Sequence, residues 1–235
     1  LTLLDRDEAG LKSVLAELGG DTAVYTVDLS DRGATQAAAA AILKARGTVD
    51  VLINNAGIVT GKSILECSDE AIERTFQVNA LALFWMTRAF LPAMIAQGRG
   101  HVVTVASAAG LSGTSRLTDY CSSKFAAVGF DESLRLELKR LGHPVRTTVV
   151  CPYYIDTGMF HGVRTRFPWL LPILKPDYVT WKILDAVERN RRRLIMPRFV
   201  LAVLMVKALP PALFDAVTAF FGVNRSMDEF KGRQG

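Results

Sequence analysis

Five nearly continuous apolar runs, each followed by a helical stretch or a polar turn, constrain this chain more than any other feature. They read "LTLL" at 1–4, "TAVYTV" at 22–27, "VDVLIN" at 49–54, "HVVTVA" at 101–106 and "VRTTVVCP" at 145–152. Between them lie stretches with helical signals: about Asp7 to Leu18 closed by Gly19-Gly20, an Ala-rich stretch from about Ala34 to Arg46, and a long segment capped by Ser68 and interrupted near Asn79. A fourth runs from about Tyr120 to Leu141. Strands alternating with helices predict an α/β fold, a doubly wound parallel sheet of the Rossmann type covered on both faces. Ligands in such sheets lie beyond the carboxyl ends of the strands, where Asp5, Asp28, Asn54, Asn55, Ser107 and Pro152 fall.

Composition narrows the function classes. The chain has 235 residues, enough for one domain with a sizeable core. Half the residues are apolar, 22% are charged, and the net charge is +5. One basic run, Arg191-Arg192-Arg193, is too little clustering for a nucleic-acid surface. Three scattered cysteines, Cys67, Cys121 and Cys151, lack metal-ligand spacing and predict reduced thiols in a cytoplasmic setting and no metal site. No uninterrupted apolar stretch reaches the roughly 18 residues of a membrane span, and no secretory signal is present.

Within "DYCSSKF", Tyr120 and Lys124 are four residues apart and share one face of a helix. An ammonium beside a phenol favours the phenolate and lowers its pKa from the free value of about 10. A phenol tuned in this way can exchange a proton with an alcohol or a carbonyl. Alone the pair is weak, since packing plus a solvated charge gives the same spacing. Ser107 at a strand end can donate to a substrate oxygen. Asn79 lies within the apolar "FQVNALALF" and needs partners, either as a structural amide or as part of a site.

Taken together, "NNAG" at 54–57, Asn79, "VASAAG" at 105–110, "YCSSK" at 120–124 and "CPYYIDTGM" at 151–159 resemble the short-chain dehydrogenase/reductase family, in its order and spacing. "DYCSSKFAAVGFDESLRLEL", "TTVVCPYYIDTGMF", "LPILKPDYV" and "SMDEF" are similar to the branch with retinol dehydrogenases and lipid-droplet 17β-hydroxysteroid dehydrogenases. The resemblance implies an NAD(P)-dependent oxidoreductase. Tyr120 would be the general acid/base and Lys124 would lower its pKa and hold the nicotinamide ribose. Ser107 would orient the substrate oxygen, and Asn79 would hold a water linking Lys124 to solvent. Asp28 and Leu29 would line the adenine, while Asn55, Ala56 and Gly57 would pass the adenine ribose. Ile155 and Thr157 would face the carboxamide. Asp5, at a strand end, would accept from both ribose hydroxyls and favour NAD, with NADP left open by Arg6. Tyr153, where the family often has glycine, and Phe160 are expected at the substrate.

The family's Gly-rich phosphate turn, T-G-x-x-x-G-x-G, is not in this sequence, and Leu1–Leu4 resembles the family's second strand. The first strand, the turn and the first helix are therefore expected to be missing from the chain as given. One domain, 1–235, is expected, with a substrate loop at 158–180 and an apolar C-terminal extension at 197–235. Phe160, Phe167, Trp169 and Leu170 are candidates for an apolar pocket. Pro210-Pro211 divides the extension into two short helical pieces, which could complete the core or a dimer contact, lie on a membrane surface with Arg191–Arg193, Arg198 and Lys207 as anchors, or roof the pocket. A small lipophilic alcohol or ketone and a dimer or tetramer follow from the resemblance. A catalytically silent lipid- or membrane-associated scaffold of the same fold is the alternative.

Overall fold

The computed structural model describes residues 1–232. Six parallel strands alternate with helices, in the order β1 (Thr2–Asp5), α1 (Glu8–Leu18), β2 (Ala23–Thr26), α2 (Arg32–Arg46), β3 (Val51–Asn54), α3 (Asp69–Phe76), α4 (Ala82–Ala96) and β4 (Gly100–Val105). Then come α5 (Thr118–Arg140), β5 (Val145–Pro152), α6 (Pro176–Glu188), β6 (Arg193–Met196), α7 (Ala202–Val206) and α8 (Pro211–Phe220). The expected α/β fold is present. The pair α6 and β6 lay outside the sequence expectation, because the four-residue strand "RLIM" sits behind a basic run that reads as loop.

Local chemistry sets the helix starts. Asp7, Asp31 and Ser68 cap α1, α2 and α3, their side-chain oxygens accepting from the amides of Gly10, Ala34 and Ala71. The break anticipated near Asn79 is a π-helical turn, Gln77–Leu81, between α3 and α4. The continuous helical stretch Asp69–Ala96 is long and apolar enough to cross a membrane by length and composition, but half of its apolar window is buried inside the fold. There Met86, Phe90 and Met94 pack with Ala39 and Ile42 of α2, Leu52 of β3 and Val102 of β4.

The strands form two sheets. β1 pairs with β2, and β3-β4-β5-β6 form a second sheet in that order. β4 and β5 are central, and Val102, Val103 and Val150 are fully buried between helical layers. β3 departs from the doubly buried pattern its sequence suggests, with Val51 42% and Ile53 47% exposed. Among the described residues no strand pairs with its outer edge. Leu4 and Tyr25 of the small sheet still pack against the shared core.

Asp131 of α5 is buried against β5. Its Oδ2 accepts from Thr147 Oγ1 at 3.4 Å, while Oδ1 has no partner. Burial raises its pKa from 3.8 to about 7. The folded state therefore holds the proton more tightly than the unfolded chain. The stability this confers is complete below the unfolded pKa and is lost as pH rises through the folded one. Denaturation at a series of pH values should show stability falling between about pH 4 and pH 7. Asp131→Asn should flatten that slope and be more stable than the parent at pH 8.

Candidate active site

The end of β4 and the start of α5 build the site. After Val105 the chain leaves the sheet, and Ser107 begins a short 3-10 turn, Ala108–Gly110, with its Oγ accepting from the Ala109 amide at 3.1 Å. That turn presses on α5. A Cβ on Gly110 would come within 2.5 Å of the Lys124 carbonyl oxygen, so only glycine permits the approach. Lys124 is buried, and its ammonium donates to the Val105 carbonyl at 2.9 Å. The same Nζ lies 5.8 Å from the centre of the Tyr120 ring. The helical spacing of four thus brings both groups together, as the sequence indicated.

The electrostatics differ from the expectation. Tyr120 is shifted well above the usual phenol value. Burial is the main cause, and the neighbouring Ser107 hydroxyl pulls the other way. Lys124 is lowered from 10.5 to about 8, also by burial. Here burial of the hydroxyl dominates, and the Lys124 ammonium points past the ring to the Val105 carbonyl. In this state the site holds a protonated phenol.

Asn79 uses its whole side chain on the loop after β3. Oδ1 accepts from the Ile58 amide at 2.8 Å, and Nδ2 donates to the Ile58 carbonyl at 2.9 Å and to Ser123 Oγ at 3.0 Å. Ser123 in turn donates to the Tyr120 carbonyl at 2.7 Å. The amide therefore tethers the Gly57–Ile58 turn to α5. Asp119, next to Tyr120, adds a second tether. It is buried and accepts from Thr60 Oγ1 at 2.9 Å and from Thr75 Oγ1 at 3.0 Å. Sequence reasoning missed Asp119 and Ser123, since an acid and a serine at the start of a helix read as ordinary capping chemistry.

Ser107, Tyr120 and Lys124 share one wall of a cavity of about 340 Å³. Asn55, Gly57, Ile155 and Thr157 line it too, as do Tyr153 and Phe160. The other wall is apolar and comes from the C-terminal extension: Phe199, Val203, Val206, Phe214, Val217 and Phe221. Of the three alternatives for the extension, roofing the pocket is the one these contacts describe. The proline pair does divide it, with α7 before and α8 after. Phe167, Trp169 and Leu170 do not line the cavity; Trp169 is 79% exposed, and Leu171 takes the inward position.

The remaining candidates lie elsewhere. Asp5 is exposed at the end of β1 and accepts from the Asp7 amide at 3.0 Å, while Asp7 caps the helix. Asp28 accepts from the Ser30 amide and hydroxyl and from Arg74 at 2.8 Å. Ser30 first, and Arg74 after it, hold the carboxyl below its usual value. Leu29 packs against the core, and Ala56 is exposed beside Gly57. Arg191 and Arg193, two of the proposed membrane anchors, are paired with Asp185 and Glu132.

Comparison with known proteins agrees with this geometry. The family profile described as short chain dehydrogenase matches residues 1–167. Human epidermal retinol dehydrogenase 2 is 43% identical over 238 residues, covering 98% of this chain and 76% of that protein. A short-chain dehydrogenase/reductase from Burkholderia phymatum solved with NAD superposes with a TM-score of 0.77 at 26% identity, over 88% of this chain and 83% of that one. A metagenomic short-chain oxidoreductase solved with NADP is 35% identical, with a TM-score of 0.61 over 64% of this chain and 69% of that one. This chain belongs to the short-chain dehydrogenase family. It is an NAD(P)-dependent oxidoreductase of the alcohol dehydrogenase and carbonyl reductase kind.

A Cβ on Gly57 would lie 3.4 Å from Lys124 Nζ and 3.5 Å from Asn79 Oδ1, so the loop after β3 runs beside the lysine where both line the cavity.

Proposed function

We propose that the chain interconverts a hydrophobic alcohol, of retinoid, steroid or fatty-alcohol type, with its aldehyde or ketone, and that Tyr120 is the general acid/base. The observation that carries this is the cavity itself, with Ser107, Tyr120 and Lys124 on one wall and almost only aliphatic and aromatic side chains on the other. A bound nicotinamide supplies or accepts the hydride. Ser107 donates to the substrate oxygen and fixes its position. Tyr120, protonated in its buried resting state, gives its proton to that oxygen during reduction and takes one during oxidation. The buried Lys124 stabilises the phenolate left behind. Asn79 holds the turn at Gly57 and Ile58 against Lys124, where a water would connect the amine to solvent.

On the same reading Asn55, Ala56, Gly57, Ile155 and Thr157 contact the cofactor along the strand ends, with Asp28 and Leu29 at the adenine. Asp5 meets the ribose hydroxyls and favours NAD over NADP. Tyr153 and Phe160 shape the substrate end. The silent-scaffold alternative finds no support in a site where all four chemistry-bearing side chains are retained. Segments 158–180 and 197–235 then act as loop and roof of a single catalytic unit, with residues 233–235 outside the described part.

Several apolar side chains around the roof face outward: Met205 is 78% exposed, Phe220 57% and Leu213 54%. We therefore also propose peripheral contact of α7 and α8 with a lipid surface, from which a lipophilic substrate would reach the cavity. Exposed Leu81, Phe84 and Leu136 on the long helices favour a dimer or tetramer, which light scattering tests.

Absorbance at the nicotinamide band with retinol, steroid and fatty-alcohol panels should show turnover by the full-length protein. Tyr120→Phe should abolish it with cofactor affinity nearly unchanged; retained turnover refutes the acid/base role. Asp5→Ala should narrow the ratio of NAD to NADP efficiency, and an unmoved ratio removes Asp5 from the cofactor site. In flotation with phosphatidylcholine vesicles, Met205→Asp combined with Leu213→Asp should release protein that otherwise floats. Equal flotation of parent and variant sinks the lipid contact.

A further inference from the structure

The segment Ser226–Phe230 returns from the roof to the back of the active site. Met227 is fully buried and joins the cluster of Leu117, Tyr120, Cys121, Tyr154 and Val163. Ser226 Oγ pairs with the Tyr154 hydroxyl at 2.9 Å, and its carbonyl accepts from the Arg164 amide at 3.2 Å. Glu229 pairs with Arg164 at 2.8 Å, and the Lys231 amide donates to the His161 carbonyl at 2.9 Å. Phe230 stacks toward Phe160, whose ring is edge-on to both Tyr120 at 5.6 Å and Tyr154 at 5.0 Å.

Two glycines are shaped to admit this segment. A Cβ on Gly61, which has φ +69°, would fall 2.0 Å from the Phe230 ring. One on Gly162, at φ +89°, would fall 2.1 Å from the Glu229 carbonyl oxygen. One glycine lies in the loop after β3 and the other in the substrate loop. The segment therefore bolts together the two loops on either side of Tyr120.

We infer that Ser226–Phe230 is a clasp that positions the proton-transfer site, with Met227 setting the Tyr120 ring and Ser226 setting Tyr154 and, through it, Phe160. No residue of Ser226–Phe230 lines the cavity, so the clasp acts through the groups it holds. The inference rests on the acid/base reading of Tyr120. A small misplacement of a reacting group lowers the chemical step far more than it weakens binding.

The test uses the full-length chain with retinol and NAD, and carries Tyr120→Phe as a control. Met227→Ala should lower kcat at least about fivefold and leave KM within about threefold, while Met227→Leu, close in volume, should restore kcat to within about threefold of the parent. Ser226→Ala removes one hydroxyl and keeps the packing. It should also lower kcat without raising KM, and it stands in if Met227→Ala does not fold. A fall in kcat smaller than about fivefold in Met227→Ala, an equal rise in KM, or a Leu variant as impaired as the Ala one overturns the clasp. With Ser226→Ala as the stand-in, an unchanged kcat overturns it. An active Tyr120→Phe overturns the acid/base reading instead, so the two failures are told apart.

Discussion

A buried ammonium organises this molecule. Lys124 is almost fully removed from water, and an amine in that position is costly unless it finds a strong acceptor. The acceptor is the Val105 carbonyl at the end of β4. That one bond locks the first turns of α5 to the carboxyl end of a central strand. It places Tyr120 one helical turn back, beside Ser107, which follows Val105 by two residues. The closeness of the 3-10 turn to α5, made possible by Gly110, is the steric counterpart of the same contact. Depth has a second effect. It drives both titratable groups toward their neutral forms.

Much of this was legible in the sequence. The apolar runs mark the strands, and Ser68 reads as a helix cap, whereas the capping roles of Asp7 and Asp31 emerge only in the structure. The interruption at Asn79 became a π-helical turn, because an amide that needs three partners pulls the helix out of its regular ladder. Other features depend on where the chain ends up in space. The pKa of Tyr120 follows from burial, which spacing does not report. The cavity roof draws on Phe199, Val206 and Phe221, residues whose local sequence fits a core, a dimer face or a membrane surface equally well. Trp169 read as a pocket aromatic and is exposed, since its loop turns Leu171 inward. β6 was hidden by the basic run Arg191–Arg193 that precedes its short apolar stretch.

The division of labour across the cavity follows from chain order. The polar wall comes from strand ends and α5, where backbone hydrogen bonds hold positions tightly. The apolar wall comes from the late helices α7 and α8, which meet the rest of the fold mainly through side-chain packing. Proton transfer is sensitive to small displacements, whereas recognition of an oily substrate tolerates them. On the proposed function, the elements held by backbone hydrogen bonds would serve the first task and the side-chain-packed helices the second.

Gly61 and Gly162 each leave room for a group that arrives from far along the chain, Phe230 in one case and the Glu229 carbonyl in the other. At each position two constraints coincide: the left-handed backbone strains any side chain, and a distant segment fills the volume one would need. In descent these positions form one heritable unit. A lineage that discards the aromatic ring lifts the steric bar at the first glycine but keeps the strain of its left-handed backbone, and one that acquires a side chain at either glycine must also give up the segment lodged there.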